Sequence, residues 1–285
     1  MTEDVKPLAG RTILMSGGSR GIGLAIAVRA ARDGANVAIL AKTDQPDPRL
    51  PGTVHTAVEA IEEAGGRGLA IVGDVRDQDS VDAAVERTAT TFGGIDAVVN
   101  NASAIMLAPV GTLPIKRYDL MMDINVRGTL GLTSAALPHL HRSDDPHVLT
   151  LSPPLNPDPV WLAAHAPYTI SKYGMTMLTV GLGHQEHPVP LAANCLWPRT
   201  TIATAAVQNL VGGDAAMAVS RRPEIMADAA HVILARKASE ATGQTYIDEE
   251  VLRAAGVTDF ASYRFDGASE EDLKIDLFLP GGEHA

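Results

Sequence analysis

Short apolar runs alternate with longer amphipathic stretches along the chain, and no internal repeat is visible. Seven apolar runs show little polar alternation, which is typical of strands that are buried on both faces of a sheet. These predicted strands are residues 11–16, 36–41, 68–72, 95–99, 147–152, 191–196 and 244–248. Helix-length stretches lie between them, most clearly at 22–33, 80–92, 112–138 and 168–184.

Alternating strands and helices predict an α/β fold, a Rossmann-type doubly wound parallel sheet of about seven strands with helices on both faces. Residues 1–250 hold this whole pattern and are expected to form one domain. Three prolines make 43–52 an irregular loop after the second strand. The C-terminal extension, 251–285, holds three of the four phenylalanines. We expect it to pack on the same domain or on a neighbouring subunit; a partly disordered end is the alternative.

Composition restricts the partners and the compartment. The formal net charge of -11 argues against nucleic acid and against an anionic membrane surface. No apolar run is long enough for a membrane span, and the first residues do not resemble a secretory signal. The one cysteine, Cys195, fits a reducing compartment, so we expect a cytoplasmic protein. The close histidine pairs, His139 with His141 and His184 with His187, lack further ligands, so no metal site is predicted.

A glycine-rich segment, Ser16-Gly-Gly-Ser-Arg-Gly-Ile-Gly23, follows the first strand and opens a helix. Gly17 allows a tight turn, while Gly21 and Gly23 let the backbone approach a pyrophosphate at the helix N-terminus. The strand–turn–helix context makes this a predicted dinucleotide site rather than an ordinary turn. Its expected contacts are Gly17, Ser19, Arg20, Gly21, Ile22 and Gly23.

The end of the second strand favours NADP(H) as the cofactor. NAD-specific folds usually place Asp or Glu there, to bind the 2′-hydroxyl of the ribose. This strand ends instead with Lys42, which attracts a 2′-phosphate that a carboxylate would repel. Arg20 could assist it. We therefore expect NADP(H), with NAD(H) less favoured; the alternative is that Lys42 is an ordinary solvated lysine.

Tyr168 and Lys172 are one helical turn apart in Tyr168-Thr-Ile-Ser-Lys172. A free phenol has a pKa of about 10, and a nearby ammonium or an oxidised nicotinamide ring lowers that pKa by favouring the phenolate. Tyr168 is thus a candidate general acid/base that exchanges a proton with a substrate oxygen while hydride moves to or from carbon. A surface pair on a helix is the alternative.

These motifs, in this order, resemble those of the short-chain dehydrogenases/reductases over nearly the whole chain. Asp74-Val75, after the third strand, resembles the family's adenine-contacting pair. Asn100-Asn-Ala-Ser103, at the fourth strand, resembles its Asn-Asn-Ala-Gly motif. After the sixth strand the family's Pro-Gly reads Pro198-Arg199, so Arg199 could reshape the nicotinamide side of the pocket or bind an acidic substrate group. The further cofactor contacts that the resemblance implies are Asp74, Val75, Asn101, Ala102, Lys172 and Pro198.

The resemblance also implies a catalytic set of Tyr168, Lys172, Asn125 and Ser152. Lys172 would hold the nicotinamide ribose and lower the pKa of Tyr168, and Asn125 would anchor a water that relays protons. The family's serine position falls on Pro153, one residue after Ser152. Either Ser152 supplies the hydroxyl that steadies the substrate oxygen, or no serine does.

Residues 1–250 are therefore interpreted as an NADP-binding short-chain dehydrogenase domain. It would transfer hydride between NADP(H) and a hydrophobic alcohol or carbonyl substrate, lipid-derived molecules being one class. A non-catalytic NADP(H)-binding sensor or scaffold is the alternative, supported by the displaced serine. We expect a homodimer or homotetramer, formed through the helices that carry Asn125 and Tyr168. Apolar side chains that could wall the pocket, or simply fill the core, are Ile105, Met106, Leu107, Pro154, Leu155, Trp161, Leu162 and Trp197.

Overall fold

Seven parallel strands form a single sheet in the computed structural model, which describes residues 6–47, 50–266 and 268–282. The strands are β1 (Thr12–Ser16), β2 (Asn36–Ala41), β3 (Arg67–Val72), β4 (Ala97–Asn100), β5 (His147–Thr150), β6 (Ala192–Trp197) and β7 (Thr245–Ile247). Their order in the sheet is β3-β2-β1-β4-β5-β6-β7. The prediction of a doubly wound, Rossmann-type parallel sheet of seven strands is confirmed.

Helices connect the strands and cover the sheet. They are α1 (Gly21–Arg32), α2 (Val54–Glu63), α3 (Gln78–Phe92), α4 (Ile115–Met121), α5 (Gly128–Leu140), α6 (Pro159–Gly183), α7 (Gly213–Ala218), α8 (Glu224–Leu234) and α9 (Asp248–Ala254). Two π-helical segments, Met122–Arg127 and Val207–Val211, and a 3-10 turn, Ala261–Tyr263, complete the elements.

The strands are apolar throughout because both faces of the sheet are covered. Successive side chains of a strand point to opposite faces. Met15 of β1 packs in a cluster with Ile26 of α1 and Ile225 of α8. Leu14, its neighbour in sequence, packs instead in a second cluster with Val81 of α3. Two cores therefore enclose the sheet, and its carboxyl edge is left for the connecting loops.

Two predicted helices differ from those observed. The predicted helix over 112–138 is α4 and α5 joined by the π-helical segment, and Asn125 lies inside that segment. The helix predicted from Tyr168 begins earlier, at Pro159, and has a non-helical residue at His165 (φ -157°, ψ 49°). Pro167 follows closely, and a proline supplies no N–H to the preceding turn, which explains the break.

Helices α2 and α8 were not among the clearest predicted helices. Thr53 begins α2 with a capping box, in which its side chain accepts from the N–H groups of His55 and Thr56. The irregular loop before α2 has no helix or strand among its described residues 43–47 and 50–52, while Pro48 lies outside them.

The C-terminal extension folds back over the sheet. Phe260 packs in the same core as α8. Further along, Ile275 pairs with Thr200 in an antiparallel bridge, next to the end of β6. Residues 274–279 therefore lie at the carboxyl edge of the sheet.

Candidate active site

The glycine-rich turn is held against the end of β4. Gly17 has a φ of 71°, and a Cβ atom there would come 2.8 Å from Cα of Ala102. Ser16 Oγ accepts hydrogen bonds from the N–H groups of Asn101 and Ala102, each at 3.2 Å. Asn101 Nδ2 donates to the Gly17 carbonyl at 2.8 Å. Asn101 and Ala102 thus fix the shape of the turn.

The N-terminus of α1 suits an anion. The helix begins at Gly21 without a side-chain cap, so its first N–H groups and its dipole are available to a phosphate. Gly23 must lack a side chain, because a Cβ atom would lie 2.8 Å from the backbone carbonyl oxygen of Gly17. Ser19 is buried within the turn, and Ile22 reaches the adjoining cavity. This donor set fits the pyrophosphate of a dinucleotide.

A charged cluster lies where β2 and β3 end. Lys42 Nζ is 3.2 Å from Asp74 Oδ2, and 60% of the lysine side chain is exposed. Arg76, which sequence reasoning missed, binds the same carboxylate through Nε at 2.9 Å and Nη2 at 2.6 Å. Those hydrogen bonds hold the pKa of Asp74 at about 2. Arg76 is only two residues from Asp74 in the sequence, and this spacing could have indicated that the two side chains form an ion pair. Val75, between them, packs close to Gly128.

Arg20 anchors the loop beside Lys42. Its Nε donates to the Pro51 carbonyl at 2.9 Å, and its Nη2 donates to Thr43 Oγ1 and to the Gly52 carbonyl. Partial burial lowers the pKa of Arg20. The guanidinium therefore shapes the wall next to Lys42.

Tyr168 and Lys172 are both buried on α6 and line the same cavity. Lys172 Nζ donates to the Leu151 carbonyl at 2.9 Å, and burial lowers the pKa of Lys172 to about 8. Burial also raises the pKa of Tyr168, and the nearby carboxylate of Asp276 raises it further. The expected lowering of the Tyr168 pKa does not occur in the protein chain alone, because the loss of hydration dominates.

Asn125 links the loop after β4 to α6. Its Oδ1 accepts from the Ala104 N–H at 2.8 Å, and its Nδ2 donates to the Ala104 carbonyl at 3.0 Å. Nδ2 also donates to Ser171 Oγ at 2.9 Å, directly before Lys172 in sequence. The fully buried amide therefore fixes this part of α6 relative to the sheet.

Ser152 follows β5 and is fully buried. Its hydroxyl lies beside the thiol of Cys195. Burial raises the pKa of that thiol to about 11, and the Ser152 hydroxyl partly offsets the rise. Ser152 is not among the residues that line the cavity with Tyr168. Asn125 does not line the cavity either, so Tyr168 and Lys172 are the two predicted catalytic residues that the cavity brings together, and the catalytic role of Ser152 stays a prediction.

The cavity has a volume of about 210 Å³. Of the predicted wall residues, Ile105, Leu107 and Trp197 line it, as does Pro198. The described side chains of Met106, Pro154, Leu155, Trp161 and Leu162 do not, and the leucines are about half exposed. Arg199 holds its neighbours through its backbone, whose N–H donates to Asp248 Oδ1 and whose carbonyl accepts from Asp276. The C-terminal residues Lys274, Ile275, Asp276 and Leu277, which sequence reasoning did not place here, also line the cavity.

Aromatic rings pack behind Tyr168. The ring of Phe278 is fully buried, and its centroid is 6.1 Å from that of Tyr168. Its other ring neighbours are Trp161, His165, Tyr173 and Trp197, at 5.3 to 5.9 Å. The C-terminal extension thereby supports the α6 side of the cavity.

Within the described ranges of the chain, no three His, Cys, Asp or Glu side chains cluster so as to hold a metal ion. The helices described there include none with the length and apolar character needed to cross a membrane.

The sequence and fold match known proteins. Residues 11–215 match the short chain dehydrogenase family. Hydroxysteroid dehydrogenase-like protein 2 of Danio rerio is 48% identical over 281 residues, 99% of this chain and 66% of that protein. The chain spans 62–66% of the length of the first such relatives. Five stretches of the sequence by themselves resemble the same relative: residues 41–43, 151–156, 160–161, 168–174 and 196–200. The comparison confirms that resemblance.

Solved structures agree with these sequence matches. A short chain dehydrogenase from Mycobacterium thermoresistibile has a TM-score of 0.90 and 53% identity, covering 96% of each chain. One from Burkholderia cenocepacia, in complex with NADP, has a TM-score of 0.71 and 27% identity over 85% of this chain and 97% of that one. Two matching structures with NAD, at 24% and 21% identity, show the fold alone.

Proposed function

The chain belongs to the short-chain dehydrogenase family, and from this premise we propose that it is an NADP(H)-dependent oxidoreductase for hydrophobic alcohols or carbonyl compounds. The observation that carries the proposal is one cavity in which Tyr168 and Lys172 meet apolar side chains beside the glycine turn. Ile22 and Asn101 line the turn side of this cavity. A substrate oxygen at Tyr168 would therefore lie next to the cofactor.

The residues present fit a bound dinucleotide. The turn from Gly17 to Gly23 would hold its pyrophosphate, and Asn101, Ala102 and Pro198 would border its nicotinamide end. When bound, NADP(H) supplies or accepts the hydride. Lys172 would bind the ribose, and its pKa of about 8 leaves most of it as ammonium at neutral pH. The Tyr168 hydroxyl would give a proton to a carbonyl substrate, or take one from an alcohol.

The preference for NADP(H) rests on the charged cluster at the ends of β2 and β3. The ammonium of Lys42 is 3.2 Å from Asp74 Oδ2, and 60% of the lysine side chain is exposed, so the ammonium can also contact a 2′-phosphate. Arg76 neutralises Asp74 in the same place. The Burkholderia relative that binds NADP supports the same choice.

Cofactor binding tests this proposal directly. Purified wild type and Lys42→Ala are titrated with NADPH and with NADH, and binding is followed by fluorescence. A hydrogen bond to a charged group contributes about 1.5–3 kcal/mol, so Lys42→Ala should bind NADPH roughly 10- to 100-fold more weakly. Its affinity for NADH should change less than about twofold. Lys116→Ala, which removes an exposed lysine on α4, is the control. Equal or tighter binding of NADH by wild type would overturn the preference, and no binding of either would undermine the enzyme assignment.

Measuring turnover distinguishes an enzyme from an NADP(H)-binding sensor. The sensor is the function that the position of Ser152 beside Cys195 would favour. A panel of apolar ketones and aldehydes is offered with NADPH to wild type and to Tyr168→Phe. Loss of a general acid should lower the rate by about 10²–10⁴, while NADPH affinity stays nearly unchanged. A sensor would give the same negligible rate for both proteins.

We also propose a homodimer or homotetramer in a reducing compartment such as the cytoplasm. Apolar side chains on the outer faces of α5 and α6 support association: Leu130, Ile170 and Met177 are each at least half exposed. The compartment is supported by Cys195, which is buried and unpaired.

A further inference from the structure

The last described part of the chain forms a C-terminal strap, residues 274–279, across the cavity. It runs beside Arg199–Thr201: the Asp276 N–H donates to the Arg199 carbonyl at 3.1 Å, and the Thr201 N–H donates to the Lys274 carbonyl at 2.9 Å. Trp197 Nε1 donates to the Leu277 carbonyl at 3.0 Å. Backbone and side-chain hydrogen bonds thus hold the strap in place on both sides of Asp276.

Asp276 faces the reacting end of the cavity. Asp276 lines the cavity together with Tyr168 and Lys172, and its charge acts on both. Part of its surface remains open to the cavity, but protein atoms surround the rest. The charged and titratable groups that face it are Tyr168, Lys172 and Lys274.

Ser152, the hydroxyl that the resemblance places beside the tyrosine, is not among the residues that line the cavity. Ser152 lies beside Cys195, and Pro153, at the aligned position, has no hydroxyl. Besides Tyr168, the lining residues that carry a hydroxyl are Ser103, Thr201 and Thr204, and Ser103 is exposed. Thr201 Oγ1 donates to the Val219 carbonyl, and Thr204 lies against Gly21 of the glycine turn.

We propose that Asp276 is a further catalytic residue, whose protonated carboxyl donates a hydrogen bond to the substrate oxygen beside Tyr168. This inference rests on the proposed function. In the reduction, hydride that bound NADPH would supply forms the new C–H bond while the C=O π bond breaks. The oxygen takes the proton of Tyr168, and the phenolate is later reprotonated from solvent. Asp276 donates its hydrogen bond while the hydride is transferred and stabilises the negative charge that develops on oxygen.

The chemistry requires a neutral carboxyl at neutral pH. Burial raises the pKa of Asp276 to about 7, although the Leu277 N–H, Lys172 and Lys274 oppose this rise. Below that pH the carboxyl donates. Above it the carboxylate would repel the developing oxyanion and would also hold the proton on Tyr168. Reduction is therefore expected to slow as the pH rises through about 7.

Two variants distinguish the hydrogen bond that the Asp276 side chain donates from the effect of its negative charge. Asp276→Asn keeps a hydrogen-bond donor of similar shape, whereas Asp276→Leu removes it. Both abolish the carboxylate, so any change in the pKa of Lys172 affects them alike. At pH 6, Asp276→Leu should lower kcat about 10²–10³-fold relative to wild type, the usual effect of losing one oxyanion donor. Asp276→Asn should restore kcat to within about tenfold of wild type.

The pH dependence distinguishes this role from a structural one. The ratio of Asp276→Asn to Asp276→Leu should be independent of pH between 6 and 8.5. The ratio of wild type to Asp276→Leu should shrink about tenfold per pH unit above the carboxyl pKa. Glu271→Gln, which removes an exposed carboxylate of the same extension, is the control and should behave as wild type. NADPH affinity, measured for each variant, confirms that it folds.

An infrared difference between wild type and Asp276→Asn tests the protonation without turnover. A carboxylic acid C=O band that persists at pH 6 is expected; its disappearance near pH 4 would overturn the proposal. Equal kcat for wild type and Asp276→Leu would overturn it too, while leaving the proposed oxidoreductase intact. Failure of wild type to reduce any carbonyl compound would instead refute the proposed function and, with it, this catalytic role.

Discussion

Replacing Phe278 by alanine should destabilise the protein and detach the C-terminal strap from the cavity. The Phe278 ring is fully buried and packs between five aromatic rings of α6 and β6. Its φ of 70° is a left-handed conformation that is unfavourable for a bulky side chain. The packing therefore outweighs a local backbone cost.

The size of the effect follows from the cavity that the substitution would leave. Phe→Ala at a fully buried site costs about 3–5 kcal/mol, and the ring contacts place Phe278 toward the upper part of that range. Phe265→Ala is the matched control, because Phe265 belongs to the same extension but is only partly buried. That substitution should cost about 1 kcal/mol.

Tryptophan fluorescence during urea denaturation reports on this region directly. The chain has two tryptophans, and the rings of both lie within 6 Å of Phe278, at 5.6 Å for Trp161 and 5.9 Å for Trp197. Phe278→Ala should shift the unfolding midpoint to lower urea and change the native emission spectrum. A cost below about 1 kcal/mol with an unchanged spectrum would refute the packing of the strap, and with it the placement of Asp276.

Two further predictions concern charge and assembly. The pKa of Asp74 is lowered to about 2, so its stabilisation is present above pH 4 and is lost as the pH falls toward 2. Asp74→Asn should lower the unfolding free energy at pH 6 by about 2 kcal/mol or less. Near pH 2 the difference in unfolding free energy between the variant and wild type should vanish. An equal difference at both pH values would contradict this. Light scattering at micromolar concentration should give a dimer or tetramer for wild type, and Met177→Glu, at an exposed apolar position on α6, should shift it toward monomer. A wild-type monomer would contradict the proposed assembly.

The sequence by itself determined the features that depend on neighbouring residues. Continuous apolar runs predicted the buried parallel strands, because strands covered on both faces lose polar alternation. The glycine turn was visible because glycine adopts a φ near 71° without strain and allows so close an approach to Ala102. Tyr168 and Lys172 were visible because a helix places residues four apart on one face.

Tertiary structure decided the features that join distant segments. Asp276 meets Lys172 across more than a hundred residues, and no local period encodes that contact. Ser152 was a candidate on strand alignment alone, but its hydroxyl lies beside Cys195 of the neighbouring β6. The pKa of Tyr168 likewise depends on burial, which desolvates the phenol, and on the carboxylate of Asp276; both raise it. Burial and charge are sums over all the groups that folding brings together, so the chemistry of this cavity is fixed only when the C-terminal strap closes over the sheet.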